Sequence, residues 1–240
     1  MALIARTPGI LYIISAPSGS GKSTLVNELR RLVPELEFSV SYTTRAPRGS
    51  EKDGLEYHFV SRRQFEEMIN RGEFLEYAEV FGNYYGTARR YLQEASARGQ
   101  DMLLDIDVQG AAQVKAKVKN SVSIFVLPPS RRELEHRLRN RSLSEGVAAD
   151  QVIERRLLAA QKEIENSPNY DYILVNDRLE ESVDKLRAIV FSERARRSER
   201  TLSPEEARML ETARNCLQTD SATSLKVKEI LASFAPAISG

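Results

Sequence analysis

The chain contains no tryptophan, one cysteine (Cys216) and two histidines (His58 and His136) in 240 residues. A single cysteine allows neither a disulfide within the chain nor a cysteine-based zinc site, and two histidines are a thin set of metal ligands. Charge of one sign is lacking as well. Lys and Arg total 35 against 34 Asp and Glu, a formal net charge of +1, which argues against a bulk basic field for nucleic acid or an anionic membrane. Any anion site must therefore be local. The longest apolar run, Gly9 to Ile14, is far too short to cross a bilayer, and Arg6 to Pro8 lie where a signal peptide would continue its apolar core. These absences lead us to expect a cytoplasmic protein in reducing surroundings, with no nucleic acid and no membrane as partner; assembly into a homo-oligomer is left open. With 41% hydrophobic and 29% charged residues, the chain can bury one sizeable core and a small subdomain.

The apolar runs that do exist are short and punctuated. Ile10 to Ser15 is bounded by Gly9 and Pro17 and is followed by a helical pattern with Leu25, Leu29 and Leu32 on one face. Met102 to Ile106 and Ser123 to Leu127 flank a crossover helix over Gln109 to Val118, and Tyr172 to Val175 adds a fourth strand. Continuous apolar strands alternating with amphipathic helices predict an α/β fold with a parallel sheet covered by helices on both faces. Capping-box spacing at Ser61/Gln64 and Ser130/Glu133 marks helix starts, and Asp150 is placed to cap a helix carrying Ile153, Leu157, Ala160 and Ile164. Residues 36–90 differ in character. Tyr42, Tyr57, Tyr77, Tyr84 and Tyr85 stand among arginines, Gly and Pro there, the composition of a small inserted subdomain. Past Arg194 the strand-like runs stop. Ser203-Pro204-Glu205-Glu206 starts a helix with Met209, Leu210, Ala213 and Leu217 on one face, and a second helix is expected over Ser224 to Phe234.

The segment Ala16-Pro17-Ser18-Gly19-Ser20-Gly21-Lys22-Ser23-Thr24 lies between the first strand and the first helix. A loop that wraps phosphate needs Gly where backbone amides curl around oxygens, and a helix N-terminus behind it to offer free N–H groups. Gly19, Gly21 and the helix after them meet both needs, Lys22 supplies a point charge for the outer phosphates, and the Ser23 hydroxyl can ligate Mg²⁺. The pattern Gly-x-x-x-x-Gly-Lys-Ser/Thr asks for Gly where this chain has Ala16; with φ below zero there, Ala costs little. Such a loop holds a nucleoside triphosphate without choosing among a switch protein, an ATPase and a small-molecule kinase.

Segments farther along the chain narrow the choice. Ser41-Tyr42-Thr43-Thr44-Arg45-Ala46-Pro47-Arg48, Gly54-Leu55-Glu56-Tyr57-His58-Phe59-Val60, Glu76, Phe81-Gly82-Asn83-Tyr84-Tyr85-Gly86-Thr87, Leu104-Asp105-Ile106-Asp107-Val108-Gln109-Gly110 and Val175-Asn176-Asp177 occur in the order of the guanylate kinases. Over about residues 8–192 the chain closely resembles that family. The resemblance implies a phosphate-loop kinase core, a GMP-binding subdomain and a mobile lid, to which the helical pattern past Arg194 adds a C-terminal extension. It also implies transfer of the γ-phosphoryl group of ATP to GMP, and to dGMP, with Mg²⁺ as cofactor. The corresponding division is a domain over 8–194, with core segments 8–35, 91–130 and 157–194, GMP-binding subdomain 36–90 and lid 131–156, and then the accessory extension 195–240.

The residue chemistry agrees with that reading. A monophosphate dianion calls for planar guanidiniums, which Arg45 and Arg48 can present, and for hydroxyls such as those of Tyr57 and Tyr85. Guanine offers an N–H and an exocyclic amine on one edge, so a carboxylate accepting from both can select it. By similarity Glu76 fills this role, with Ser41, Thr87 and Asp107 as further base contacts; from the sequence alone, nothing separates Glu76 from Glu73 or Glu79. Asp105 ends a buried strand, where an unpaired charge is costly, and is assigned with Ser23 to the metal. The ATP side takes residues 16–24 and Asn176. Charge spreading onto the transferred group calls for fixed cations; Lys22 and Arg45 are candidates, the resemblance to the family's lid implies Arg141 and Arg156 at its phosphate-contacting positions, and Arg137 is a weaker candidate. Residues 143–149 align poorly with the family, and Gly49-Ser50-Glu51 departs from its usual Gly-Glu pair. Two competing readings remain: a guanylate-kinase-like scaffold that binds phosphopeptides without turnover, and a phosphate-loop kinase with another nucleotide acceptor.

Overall fold

The computed structural model describes residues 9–144, 150–197 and 202–235. In chain order the elements begin with β1 (Leu11–Ser15), α1 (Lys22–Leu32), β2 (Leu36–Phe38), β3 (Tyr42–Thr43), β4 (His58–Phe59) and α2 (Arg62–Asn70). Next come β5 (Phe74–Val80), β6 (Asn83–Ala88), α3 (Arg89–Arg98), β7 (Asp101–Asp105), α4 (Val108–Lys117) and β8 (Val122–Leu127). The last are α5 (Arg131–Ser144), α6 (Asp150–Ile164), β9 (Tyr172–Val175), α7 (Leu179–Arg196), α8 (Pro204–Arg214) and α9 (Ser221–Ala232). The four strands expected from continuous apolar runs are β1, β7, β8 and β9, with ends displaced by about one residue at most. The fold is α/β, with parallel strands and flanking helices.

The chain divides into two compact units, one holding the residues up to Ile14 with Val33–Val122, the other Ser15–Leu32 with the residues from Ser123 on. In the first unit β7 pairs in parallel with β1 (Leu11 opposite Met102, Ile14 opposite Asp105) and with β2 (Leu36 opposite Asp101). Every residue of β1 is buried, as expected of strands covered on both faces. A four-stranded sheet in the order β4-β3-β6-β5 forms the rest, with β3 and β4 parallel and the other pairs antiparallel. Its underside is an aromatic cluster of Phe65 and Phe74, stacked 4.4 Å apart, joined by Tyr84 and Tyr42. The capping box expected at Ser61 and Gln64 starts α2.

The second unit pairs β8 with β9 in parallel, from Ile124 opposite Tyr172 to Leu127 opposite Val175. In α1, Leu25, Val26 and Leu29 are buried, whereas Leu32, expected on the same face, is 41% exposed at the helix end. The C-terminal helices pack onto this unit. The Ile173 amide donates to Cys216 O at 2.7 Å and the Gln218 amide to Asp171 O at 3.0 Å, so the turn after α8 lies antiparallel along β9 and satisfies its backbone. The α8 capping box at Ser203 and Glu206 is formed. The last helix starts at Ser221 instead of Ser224, because the Asp220 carboxylate accepts from the Thr223 amide at 2.8 Å and so caps it three residues earlier. Ser233, just past α9, accepts from the Arg131 amide at 3.0 Å, occupying a donor at the start of α5 that has no partner inside its own helix. Among the described residues no helix is long and apolar enough to cross a membrane.

Candidate active site

In the second unit the loop after β1 takes the conformation its glycines were expected to allow. Gly19 and Gly21 have φ of 93° and 87°, a region L side chains rarely enter. A Cβ on Gly21 would stand 2.4 Å from Asn176 Nδ2. Ala16 is not among the residues of positive φ, so the departure from glycine at the first loop position is free of backbone strain. Ser20 is fully buried, and its Oγ has no hydrogen-bond partner among the described residues. Its carbonyl accepts from Asn176 Nδ2 at 2.7 Å, which ties the loop to the end of β9. Pro17 and Ala16 are buried beneath the loop, Ser18 is exposed, Lys22 is the half-buried first residue of α1, and Ser23 and Thr24 are exposed in its first turn.

Arg137 is the residue whose importance the sequence understated. From α5 it donates to Asn176 O from both Nη atoms at 3.2 Å and reaches Ser20 O at 3.5 Å, while Glu133, one turn earlier, holds its Nε at 2.7 Å. It braces the loop from behind through carbonyl groups. The Glu133/Arg137 spacing of four was the available signal, but that spacing also describes an ordinary solvated helix face. Arg156 sits half-buried on α6. Arg141 belongs to α5, with its side chain outside the described residues, and of the segment 143–149 residues 145–149 lie outside them altogether.

In the first unit a guanidinium and two phenols cluster. The Arg45 Nη atoms donate to both Glu51 oxygens at 2.9 and 3.0 Å, and Glu51 also accepts from the Arg48 amide at 2.8 Å. The Arg45 side chain is only 10% exposed; burial opposes its charge, but Glu51 and Tyr85 more than compensate, so its pKa is raised. The same pairing draws the Glu51 carboxyl down against its own partial burial. The Tyr57 ring lies 5.3 Å from Arg45 Cζ and 5.9 Å from the Tyr85 ring. Glu51, noticed in the sequence only as a departure from the family spacing, thus orients the Arg45 guanidinium and anchors the backbone at Arg48, whose side chain is exposed. Replacing Arg45 by Lys would remove the planar fork that pairs with both Glu51 oxygens.

The second cluster of this unit is acidic and dry. Glu76 lies opposite Thr87 across β5 and β6, next to a register shift between Phe74 and Glu76. The shift breaks the alternation, so Phe74, Leu75 and Glu76 are all buried in succession. Glu76 is 3% exposed, whereas Glu79 is exposed and faces Arg62 and Glu73 pairs with Arg71; burial therefore separates three carboxylates the sequence left equivalent. Burial pushes the Glu76 carboxyl up to about 7, and Asp107 adds to the rise while Thr87 and Lys117 oppose it. The Thr87 hydroxyl is buried beside that carboxyl. Asp107 caps α4 through the Gly110 amide at 2.8 Å. Tyr85 and Thr87, two apart on β6, face the same side, so the cationic and the acidic cluster share one strand face, about 7 Å apart. Ser41 is buried at the start of β3, and its carbonyl accepts from the His58 amide at 2.9 Å. Asp105 ends β7, half-buried, in register with Ile14.

A glycine-shaped loop before a helix in one unit and a guanidinium beside two phenols in the other are both arrangements that suit phosphate chemistry. The chain is of the class of phosphate-loop kinases. Residues 9–193 match the guanylate kinase family model. A guanylate kinase of Koribacter versatilis is 60% identical over 226 residues, covering 94% of this chain and 96% of that protein. One of Geobacter metallireducens is 50% identical over 191 residues, covering 80% and 92%. The crystal structure of guanylate kinase from Anaplasma phagocytophilum superimposes with a TM-score of 0.66 at 34% identity, covering 87% of this chain and 96% of the other. The chain belongs to the guanylate kinase family.

Proposed function

We propose that the chain carries out the reaction for which its family is named, ATP + GMP giving ADP + GDP, with dGMP as a second acceptor. Arg45, Arg48, Tyr57 and Tyr85 hold the acceptor phosphate; Glu76, Ser41, Thr87 and Asp107 hold the base. The loop 16–24 and Asn176 hold ATP. A GMP phosphate oxygen attacks the γ-phosphorus in line, the bond to the β,γ-bridging oxygen breaks, and ADP leaves with that electron pair. No protein nucleophile is needed. Lys22, Arg45, Arg141 and Arg156 balance the charge that spreads over the transferring group. We take 131–156 as the lid that excludes water from this step, 36–90 as the acceptor subdomain, and 195–240 as an accessory extension to the domain 8–194.

Mg²⁺ is the expected cofactor. Among the described residues no three His, Cys, Asp or Glu side chains gather into a metal site, and Mg²⁺ accompanying a nucleotide needs none, since phosphates and waters complete its shell. The exposed Ser23 hydroxyl of the second unit and the half-buried Asp105 carboxylate of the first are each hard oxygen donors of the kind Mg²⁺ takes. Mg²⁺ held with ATP would neutralise charge on the outer phosphates. We assign the protein to purine nucleotide metabolism in the cytoplasm.

The observation that carries the reading is the buried Glu76 carboxylate, opposite Thr87 on the strand face that also carries Tyr85 of the Arg45 cluster. A desolvated acceptor is what a base edge rich in N–H donors requires. The test is an acceptor screen with ATP and Mg²⁺, measuring ADP release with GMP, dGMP, AMP and IMP at equal concentration. GMP and dGMP are expected to react, and AMP to show kcat/KM lower by about 10³-fold or more. Equal use of AMP would end the assignment of the base site, and phosphopeptide binding with no ADP release would make the chain a scaffold.

A further inference from the structure

Gly110 is the third residue of α4, buried and with φ outside the positive range, so no backbone requirement explains the glycine. The space around it does. A Cβ at this position would stand 2.4 Å from Glu76 Oε2, 3.0 Å from Glu76 Cδ and 3.3 Å from Asp107 Oδ1. The carboxylate thus rests on the bare Cα of the helix. The rest of α4 holds the strand on either side of that contact: Lys117 Nζ donates to Leu75 O at 2.5 Å, Gln113 Nε2 to Tyr77 O at 2.7 Å, and the Tyr77 amide to Gln113 Oε1 at 3.4 Å. Gln113 exchanges bonds with Tyr77 as a neighbouring strand residue would, along the sheet edge formed by β5. The residues immediately before and after Glu76 are therefore tied to the same helix that limits how far its carboxylate can retreat.

We propose that Gly110 is a specificity-determining position: having no side chain, it sets the depth and direction of the Glu76 carboxylate, and through it the discrimination between guanine and a purine that lacks the exocyclic amine. The inference rests on Glu76 as the reader of guanine. Gly110 is a positioning residue, since its effect passes entirely through Glu76. An added methyl meets the free end of a side chain with three rotatable bonds, so the carboxylate gives way and the helix stays. Alanine is also the better helix former.

The experiment is Gly110→Ala in the full chain, with initial rates for GMP and IMP and a thermal melt without ligand. We expect the melting temperature to hold or rise, KM for GMP to increase about tenfold, kcat at saturating GMP to change less than about threefold, and the kcat/KM preference for GMP over IMP to fall by about tenfold or more. An unchanged KM and preference overturn the proposal. So does a melting temperature lowered by more than about 5 °C, because the backbone would then be what yields. Glu76→Gln separates the two levels: if it keeps the GMP preference, the reading of Glu76 fails, whereas if it loses the preference and Gly110→Ala does not, only the role of Gly110 falls.

Discussion

Lys22→Ala is expected to lower kcat by roughly 10²–10³-fold while leaving KM for GMP within about threefold. Lys22 comes directly after the two glycines of positive φ and opens α1, so its ammonium is carried by a loop already held in place by Asn176 and Arg137. The backbone that carries the charge is therefore fixed before ATP arrives, leaving only the lysine stem to be ordered, and a charge brought against the transferring group acts on the transition state more than on the ground state. An alanine leaves the amides of the loop intact, so ATP should still bind, more weakly. Lys22→Arg separates charge from shape: it keeps the charge but replaces a compact ammonium by a wide planar group, and should recover only a small part of the lost rate. Turnover by Lys22→Ala within about tenfold of the unaltered protein would remove Lys22 from the transfer step.

Much of the scaffold was legible in the sequence because its signals are local. The apolar runs of β1, β7, β8 and β9 sit between turn residues, and the caps at Ser61 and Ser203 are read from side chains three residues apart. Elements whose identity depends on distant partners were not. The strand β2 is three residues long and owes its state to pairing with β7, while α3 begins at Arg89 after Ala88, which has no side-chain cap to announce it. The site divides in the same way. The phosphate loop could be recognised from one contiguous segment, whereas Glu76 could not be told from Glu73 and Glu79 without the family, because the register shift that buries it arises from pairing with β6. Glu51 and Arg137 act by bonding to other site residues, through groups the sequence shows only as ordinary surface charges. Gly110 gives no local sign at all, since a helical glycine looks like a weakness until the carboxylate it admits is seen.

Glu76→Gln is the substitution whose effects reach furthest, because one proton at this position enters both recognition and stability. Guanine presents two donors, and only an ionised carboxylate offers an acceptor to each; glutamine turns an N–H₂ group toward one of them. A fall in kcat/KM for GMP of about 10²-fold or more is expected, with KM for ATP nearly unchanged and the preference over AMP largely lost. The pH profile gives an independent check. With the carboxyl at about 7 in the ligand-free protein, kcat/KM for GMP should decline as pH falls through 7, and the decline should vanish in the variant. A second limb, from the phosphate of GMP itself near pH 6, should persist in both. Stability moves the other way. The folded pKa lies above the ordinary 4.5, so the protonated carboxyl favours the fold; that contribution is complete below about 4.5 and is lost as pH rises through about 7. The ligand-free protein should therefore lose about 3 kcal/mol of stability across that interval, relative to the glutamine variant. Chemical denaturation at pH 5 and pH 8 measures it directly: Glu76→Gln should be close to the unaltered protein at the lower pH and more stable at the higher. If the stability difference between the two proteins is the same at both pH values, the carboxyl titrates in its ordinary range, and the low-pH loss of GMP use must come from the substrate.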